Sequence, residues 1–252
     1  MTILEMHYDF KVKVDKVDSL NVDSFNDAEI DWILNYAIDV FVKQRYGITN
    51  NKQYGFEVIQ KRIDDLRTLH NKEYEITPIL YKPDLYEAPL NQIVDPITSN
   101  VLDNYWFTTR LRADIKKGEC NKNVGVTQVQ TDDLNKALGY SFYGPNFNWG
   151  KVIATFNSAS DSVNESGSIF LNTKDFEVVK VYIDYIKKPE TVWLGTYTNI
   201  TGTLDPNTDN PVDCDLPNST HNEIVTLAAN LALGLISDPN FMQLRQQYIE
   251  SE

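Results

Sequence analysis

The chain has 252 residues, with 36 acidic against 23 basic side chains, a formal charge of −13, 42% hydrophobic residues and 23% charged ones. Such a length and composition describe a folded protein with a real core and exclude a disordered chain. A surface this acidic repels phosphate backbones and so excludes wrapping or sequence-specific contact with nucleic acid.

The aromatic content of 12% favours a β-rich fold and protein–protein surfaces. The opening segment MTILEMHYDFKVKVDKVDSL is charged throughout and has no apolar h-region, so no signal peptide is expected. No window approaches the roughly 20 apolar residues of a membrane span, so the sequons at Asn164, Asn199 and Asn218 are not expected to be used. The first predicted helix runs from Asn26 to Tyr46. Asn26 with Glu29 reads as a capping box, Ile30, Ile33, Leu34, Ala37 and Phe41 form one apolar stripe, and Gly47 is the stop. A second is predicted from Gly55 to His70, with Phe56, Ile59, Ile63, Leu66 and Leu69 on its stripe. The short link Ile48 to Tyr54 makes the pair a helical hairpin.

From Tyr74 to Leu216 the pattern changes to short runs rich in Val, Ile, Tyr, Phe and Thr between Asn, Asp, Gly and Pro breakers. These are EITPILY, NYWFTTRLRADI, GVTQVQT, KVIATF, SIFLN, FEVVKVYIDYI and TVWLG. In the sixth run Val179, Val181, Ile183 and Tyr185 are predicted to face the core. Phe176, Val178, Lys180, Tyr182, Asp184 and Ile186 are predicted to point the other way. DDLNKAL (Asp132 to Leu138) reads as a short helix among the strands. After Pro217, Thr220 and Glu223 read as a capping box that opens a largely buried helix through Ile224, Leu227, Ala228, Leu231 and Leu235. Asp238 and Pro239 restart a polar helix carrying Phe241, Leu244, Tyr248 and Ile249.

The predicted fold is therefore α+β: an N-terminal helical hairpin, a central antiparallel, sandwich-like β-rich domain, and C-terminal helices packed back on it. The corresponding segments are 1–73, 74–216 and 217–252, with the two terminal helical segments forming one compact unit.

Candidate chemistry is sparse. His7, His70 and His221 sit at no metal or catalytic spacing, and His221, just inside a helix start, reads as a surface residue. Cys120 and Cys214 are far apart with no CxxC and are expected to be free thiols. No GxSxG, Walker-type or dinucleotide-binding glycine pattern occurs. Asp205 to Asp215 places four Asp in a loop, which raises calcium, but it lacks the turn glycine and closing Glu of an EF-hand, so a solvated acidic loop is the better reading. No catalytic residue, cofactor or metal ligand is therefore assigned.

The aromatic stretches Tyr105–Trp106–Phe107 and Phe142 to Trp149 remain. They are open to either core packing or docking of a neighbour. Tyr143, Phe147 and Trp149, with Phe241 and Tyr248 near the C-terminus, are the candidate interface residues.

Three stretches carry a resemblance. SLNVDSFNDAEIDWILNYAIDVFVKQRYG resembles the opening helix, and NYWFTTRLRADI a strand, of a neck structural protein of crAss-like phages. VYIDYIKKPETV with DCDLPNSTHNEIVTLAANLAL resembles the closing strand and final helix of the same family. The resemblance implies a virion protein made in the host cytoplasm, a subunit of a head–tail connector ring below the portal. It implies a homo-oligomer of twelve, with the portal and adjacent ring proteins as partners and genomic DNA passing through the ring without specific binding. It carries no catalytic residue. Two other classes stay open, a carbohydrate- or receptor-binding β-domain of a phage tail and a hydrolase with dispersed carboxylates.

Overall fold

The computed structural model describes residues 1–15, 25–47, 60–102, 104–139, 142–158, 167–195 and 211–235. The chain is α+β and divides into two units, Met1–Leu69 with Pro189–Glu252, and His70–Lys188. Residues 189–216, which the sequence groups with the strands, thus fall in the helical unit.

That unit holds α1 (Ile3–Asp15), α2 (Asp27–Tyr46), α3 (Gln60–Leu66) and α5 (Asn218–Leu235). The α2 helix starts and stops where its caps dictate. The Glu29 carboxylate accepts the Asn26 N–H at 2.8 Å, and Gly47, at φ 121°, donates its N–H to the Lys43 carbonyl. Ile30, Ile33, Leu34, Ala37, Ile38, Phe41 and Val42 are buried, and α5 packs against both α1 and α2. Burial of each Ile, Leu, Phe and Val among them stabilises by about 1.5–3 kcal/mol. The sequence reading missed α1. Its stripe of Ile3, Met6, Phe10 and Val14 keeps helical spacing under a run of charges, and all four are buried.

The second predicted helix stops earlier than expected. It ends at Leu66, and the turn closed by the Leu69 N–H on the Leu66 carbonyl leads directly into a strand at His70. Phe56 and Ile59, the link Ile48 to Tyr54, and the polar C-terminal helix lie outside the described residues.

α5 starts at Asn218, two residues before the expected cap. The Thr220 hydroxyl donates to the Pro217 carbonyl inside the first turn. This shift corrects His221 from the surface to the core. It continues the stripe 221, 224, 225, 228 backwards and is 2% exposed, with Nε2 2.9 Å from the Leu216 carbonyl. TVWLG is not a strand. Val192 pairs its backbone with the Asn35 side chain (2.8 and 3.0 Å), and Trp193 makes an isolated bridge to Val212.

The second unit is a ten-stranded sheet: β1 (His70–Ile76), β2 (Ile79–Lys82), β3 (Leu85–Pro89), β4 (Ile93–Val94), β5 (Val101–Leu102), β6 (Tyr105–Lys117), β7 (Cys120–Gln128), β8 (Val152–Ser158), β9 (Gly167–Asn172) and β10 (Glu177–Lys187). The order is β2-β3-β9-β8-β7-β6-β10-β1-β4-β5. Side chains from both arms, such as Ala154, Ile169 and Leu171 with Leu111, Ala113 and Val181, share one core. The run EITPILY is two strands parted at Thr77–Pro78, and β3, β4 and β5 are additions to the sequence reading.

The sheet is mixed where the sequence predicts antiparallel pairing throughout. β7 and β8 run parallel, Val126 opposite Val152. The connection 129–151, which includes the predicted short helix as α4 (Leu134–Gly139), is long enough for the crossover a parallel pair requires.

The expected faces of β10 hold only in part. Val178 pairs with Ile115 and Lys180 with Asp114, which leaves Val179 as an extra residue, 47% exposed, while Val178 is 5% exposed. Beyond it Val181, Ile183 and Tyr185 are buried as predicted. Phe176, Asp184 and Ile186, predicted to point the other way, are also buried, and Asp184 accepts the N–H of Glu73, which sits at φ 60° in the matching irregularity of β1. The Tyr185 hydroxyl donates to Asn104 Oδ1 and accepts from Asn71 Nδ2, and burial pushes its pKa up to about 12.

Candidate functional site: an aromatic loop and a helical groove

The β7–β8 crossover ends in FYGPNFNWGK, residues 142–151, whose shape follows from its own residues. Asn146 and Lys151 exchange both backbone hydrogen bonds at 2.9 Å, closing the loop. Inside it the Asn146 Oδ1 accepts the N–H groups of Asn148 (2.8 Å) and Trp149 (3.3 Å), the side-chain turn that asparagine favours. Phe147 is the anchor. It is 7% exposed and packs against Phe176, so of the predicted interface residues it belongs to the core.

Two lysines staple the loop from outside. Lys122 lies over the Phe147 ring and donates to the carbonyls of Phe147 and Asn148. Lys151 lies over the Tyr143 ring and donates to the carbonyl of Phe142. With its backbone fixed in this way, the loop holds three large aromatic side chains in solvent: Phe142 (73% exposed), Tyr143 (65%) and Trp149 (60%). Phe142 and Trp149 are stacked, with centroids 5.8 Å apart and planes at 7°. Tyr143 and Trp149 are thus placed where a partner can reach them. Phe142, which sequence reasoning left out of the candidate set, completes the cluster. Phe241 and Tyr248 lie outside the described residues.

Gly150 is the hinge of this arrangement. It has φ +59°, and a Cβ there would lie 2.9 Å from Val124 Cγ1. Gly118, in the β6–β7 turn, has a similar φ of +62° with nothing within 4 Å. Gly118→Ala is therefore expected to cost about 1 kcal/mol in denaturant unfolding and Gly150→Ala about 2–3 kcal/mol, the difference being the clash. Equal losses would show that the loop yields freely.

The helical unit has its own exposed aromatic face. On α1, Leu4 and Tyr8 are 66% and 73% exposed and flank an open groove of ≈ 830 Å³ completed by Leu194 and the carboxylates of Glu5, Asp9 and Asp27. Its floor is polar. His7, 2% exposed, has Nε2 2.7 Å from Asp31 Oδ1, and Asp31 Oδ2 accepts the Leu194 N–H at 3.0 Å. Lys11 bridges to Asp27 at 2.9 Å, and that hydrogen bond holds the Asp27 carboxyl below its ordinary range. On α2, Trp32 and Tyr36 are stacked at 6.0 Å, one turn apart, and are 59% and 50% exposed. A face with i, i+4 aromatics on the side away from the core stripe was legible in the sequence, but it reads as spacing noise until the buried face is known.

His70 Nε2 is 2.9 Å from the Thr109 hydroxyl, and no group of three or more His, Cys, Asp or Glu with metal-binding geometry occurs among the described residues. Cys120 and Cys214 are both free thiols, with burial pushing Cys214 up to about 11. Of the acidic loop, Asp205 and Asp209 lie outside the described residues. Asp213 accepts the N–H of Ile3 at the start of α1, and Asp215 that of Glu190.

Among known protein families, the model of the crAss ring 3/4 family, described as phage tail ring protein 3/4, matches residues 1–240. No curated protein matches the chain.

Proposed function

Because the chain belongs to the crAss ring 3/4 family of phage tail ring proteins, we propose that it is a subunit of a neck ring below the portal, joining capsid to tail and lining the channel through which DNA leaves. The observation that carries this reading is the extent of the family match, which covers both structural units. Copies of one chain close into a ring only through two unlike faces that fit each other at a fixed rotation. The aromatic loop and the helical groove are two exposed surfaces of unlike chemistry.

The charge supports the same reading. At −13, a wall built from many copies repels the phosphate backbone, so DNA slides past it without being gripped. The partners are then the portal and the neighbouring ring proteins, and a twelve-subunit ring matches the symmetry of a dodecameric portal.

The test is native mass spectrometry with negative-stain imaging of the purified chain, alone and mixed with the portal protein of the same genome. A closed ring of twelve in either sample is the expected result. A chain that stays monomeric in both would sink the ring-subunit reading. The exposed Phe142–Trp149 stack would then favour binding of a carbohydrate or receptor, which a glycan array reads directly.

A further inference from the structure

We propose that the aromatic loop of one copy seats in the α1 groove of the next copy, so that Phe142, Tyr143 and Trp149 on one side and Leu4, Tyr8 and Leu194 on the other form the subunit–subunit contact of the ring. This rests on the ring-subunit reading and names the surfaces that would close it.

Three observations select a second copy as the occupant. The first is charge. Residues 142–151 contain no Asp or Glu and are flanked by Lys122 and Lys151, a basic patch on a chain whose net charge is −13. The groove is lined by three carboxylates, Glu5, Asp9 and Asp27, against two cations, Lys11 and the amino group of Met1, and so is acidic by one net charge. Opposite potentials on the two surfaces steer one towards the other and disfavour loop-to-loop or groove-to-groove pairing, which is what a head-to-tail ring needs.

The second is size. A volume of ≈ 830 Å³ falls in the range of clefts that bury ligands holding several rings. The loop offers three aromatic side chains, each able to bury roughly 150–250 Å². The third is preorganisation. Asn146, Phe147, Gly150 and the two lysines hold the loop in place, and the His7–Asp31–Leu194 hydrogen bonds hold the groove floor. Little ordering entropy remains to be lost on docking. Aromatic anchors on a fixed support, entering a concave site walled in part by Leu4, Tyr8 and Leu194, are the usual composition of an interface hot spot.

The experiment uses two full-length variants, Phe142→Ser/Trp149→Ser for the loop and Leu4→Lys/Tyr8→Lys for the groove. All four side chains are well exposed, so both variants are expected to keep the wild-type circular dichroism and unfolding midpoint. Native mass spectrometry is then run on each variant, on their equimolar mixture and on wild type, with the portal present wherever wild type requires it.

Each variant alone is expected to need at least about a hundredfold more protein to close a ring. The mixture is the diagnostic sample. The intact loop of the groove variant fits the intact groove of the loop variant, and the contact stops there, so 1:1 heterodimers should form without rings. Rings of wild-type stability from either variant, or a mixture with no heterodimer, would overturn this pairing while leaving the ring reading intact. A wild-type chain that never closes a ring overturns both. Loss of glycan binding in the loop variant with unchanged ring closure would also overturn the pairing and assign the loop to a sugar.

Discussion

Arg45→Met is expected to destabilise the helical unit by about 3–5 kcal/mol, the usual cost of removing one member of a buried ion pair. Arg45 is 6% exposed near the end of α2 and reaches both neighbouring helices. Its Nε is 2.9 Å from Asp65 on α3, and a terminal nitrogen is 2.6 Å from Glu223 on α5, while the guanidinium lies over the Phe41 ring. Burial already pushes the Asp65 carboxyl above its ordinary pKa, and Arg45 is the largest of the influences that pull it back. Without the guanidinium, the folded chain must bury an uncompensated carboxylate or protonate it.

The sign of the pH effect follows. A carboxyl whose pKa is raised by folding binds more protons in the folded state than in the unfolded one, so lowering the pH favours folding. The deficit of Arg45→Met should therefore be largest at neutral pH and shrink as the pH falls towards the carboxylate range. Arg45→Met/Asp65→Leu should recover most of the loss, because an apolar pair replaces the stranded charge. Urea titrations at neutral and mildly acidic pH measure all three statements. A single variant within about 0.5 kcal/mol of wild type would mean that the three helices do not depend on this residue.

Asp31→Ala is expected to cost about 2–4 kcal/mol, since it strands two groups at once, the buried His7 Nε2 and the Leu194 N–H. Asp31→Asn keeps one acceptor and the side-chain volume, so its loss should be roughly half as large. Thermal unfolding of the two variants gives the comparison. Equal losses would show that charge, and not hydrogen-bond geometry, carries the contact. Because Leu194 also lines the groove, Asp31→Ala should weaken ring closure as well as stability. Arg45→Met, whose contacts lie elsewhere in the helical unit, should affect stability far more than assembly.

What was legible from residues alone has a common character. The bounds of α2, the buried stripe of α5, the short helix at Leu134–Gly139 and the long strands β6 and β10 were all encoded by signals within one element: caps, a 3.6-residue stripe, β-branched runs and breakers. α1 carried the same kind of signal and was masked by its charges. The misreadings share the opposite character. Val179 leaves the sheet face because β10 meets β6 with one residue to spare. His221 turns inward because its helix starts at Asn218, earlier than the local cap signal implied.

In the candidate interface the sequence determined that an aromatic, glycine- and asparagine-rich turn exists between two strands, and the family match gives the chain its place among tail ring proteins. Only the tertiary structure decided which aromatics bury and which display. Phe147 finds the Phe176 ring and the Lys122 ammonium, whereas Phe142 and Trp149 stack on each other in solvent. The same holds for TVWLG, residues 191–195, which read as a strand and in which Val192 instead pairs with Asn35 and Trp193 with Val212. Local pattern fixes what a segment prefers, because caps and periodicity act within a few residues. Which face stays exposed depends on partners outside the element, from Lys122 and Phe147, 25 positions apart, to Asn35 and Val192, 157 apart, and that information lies in packing alone.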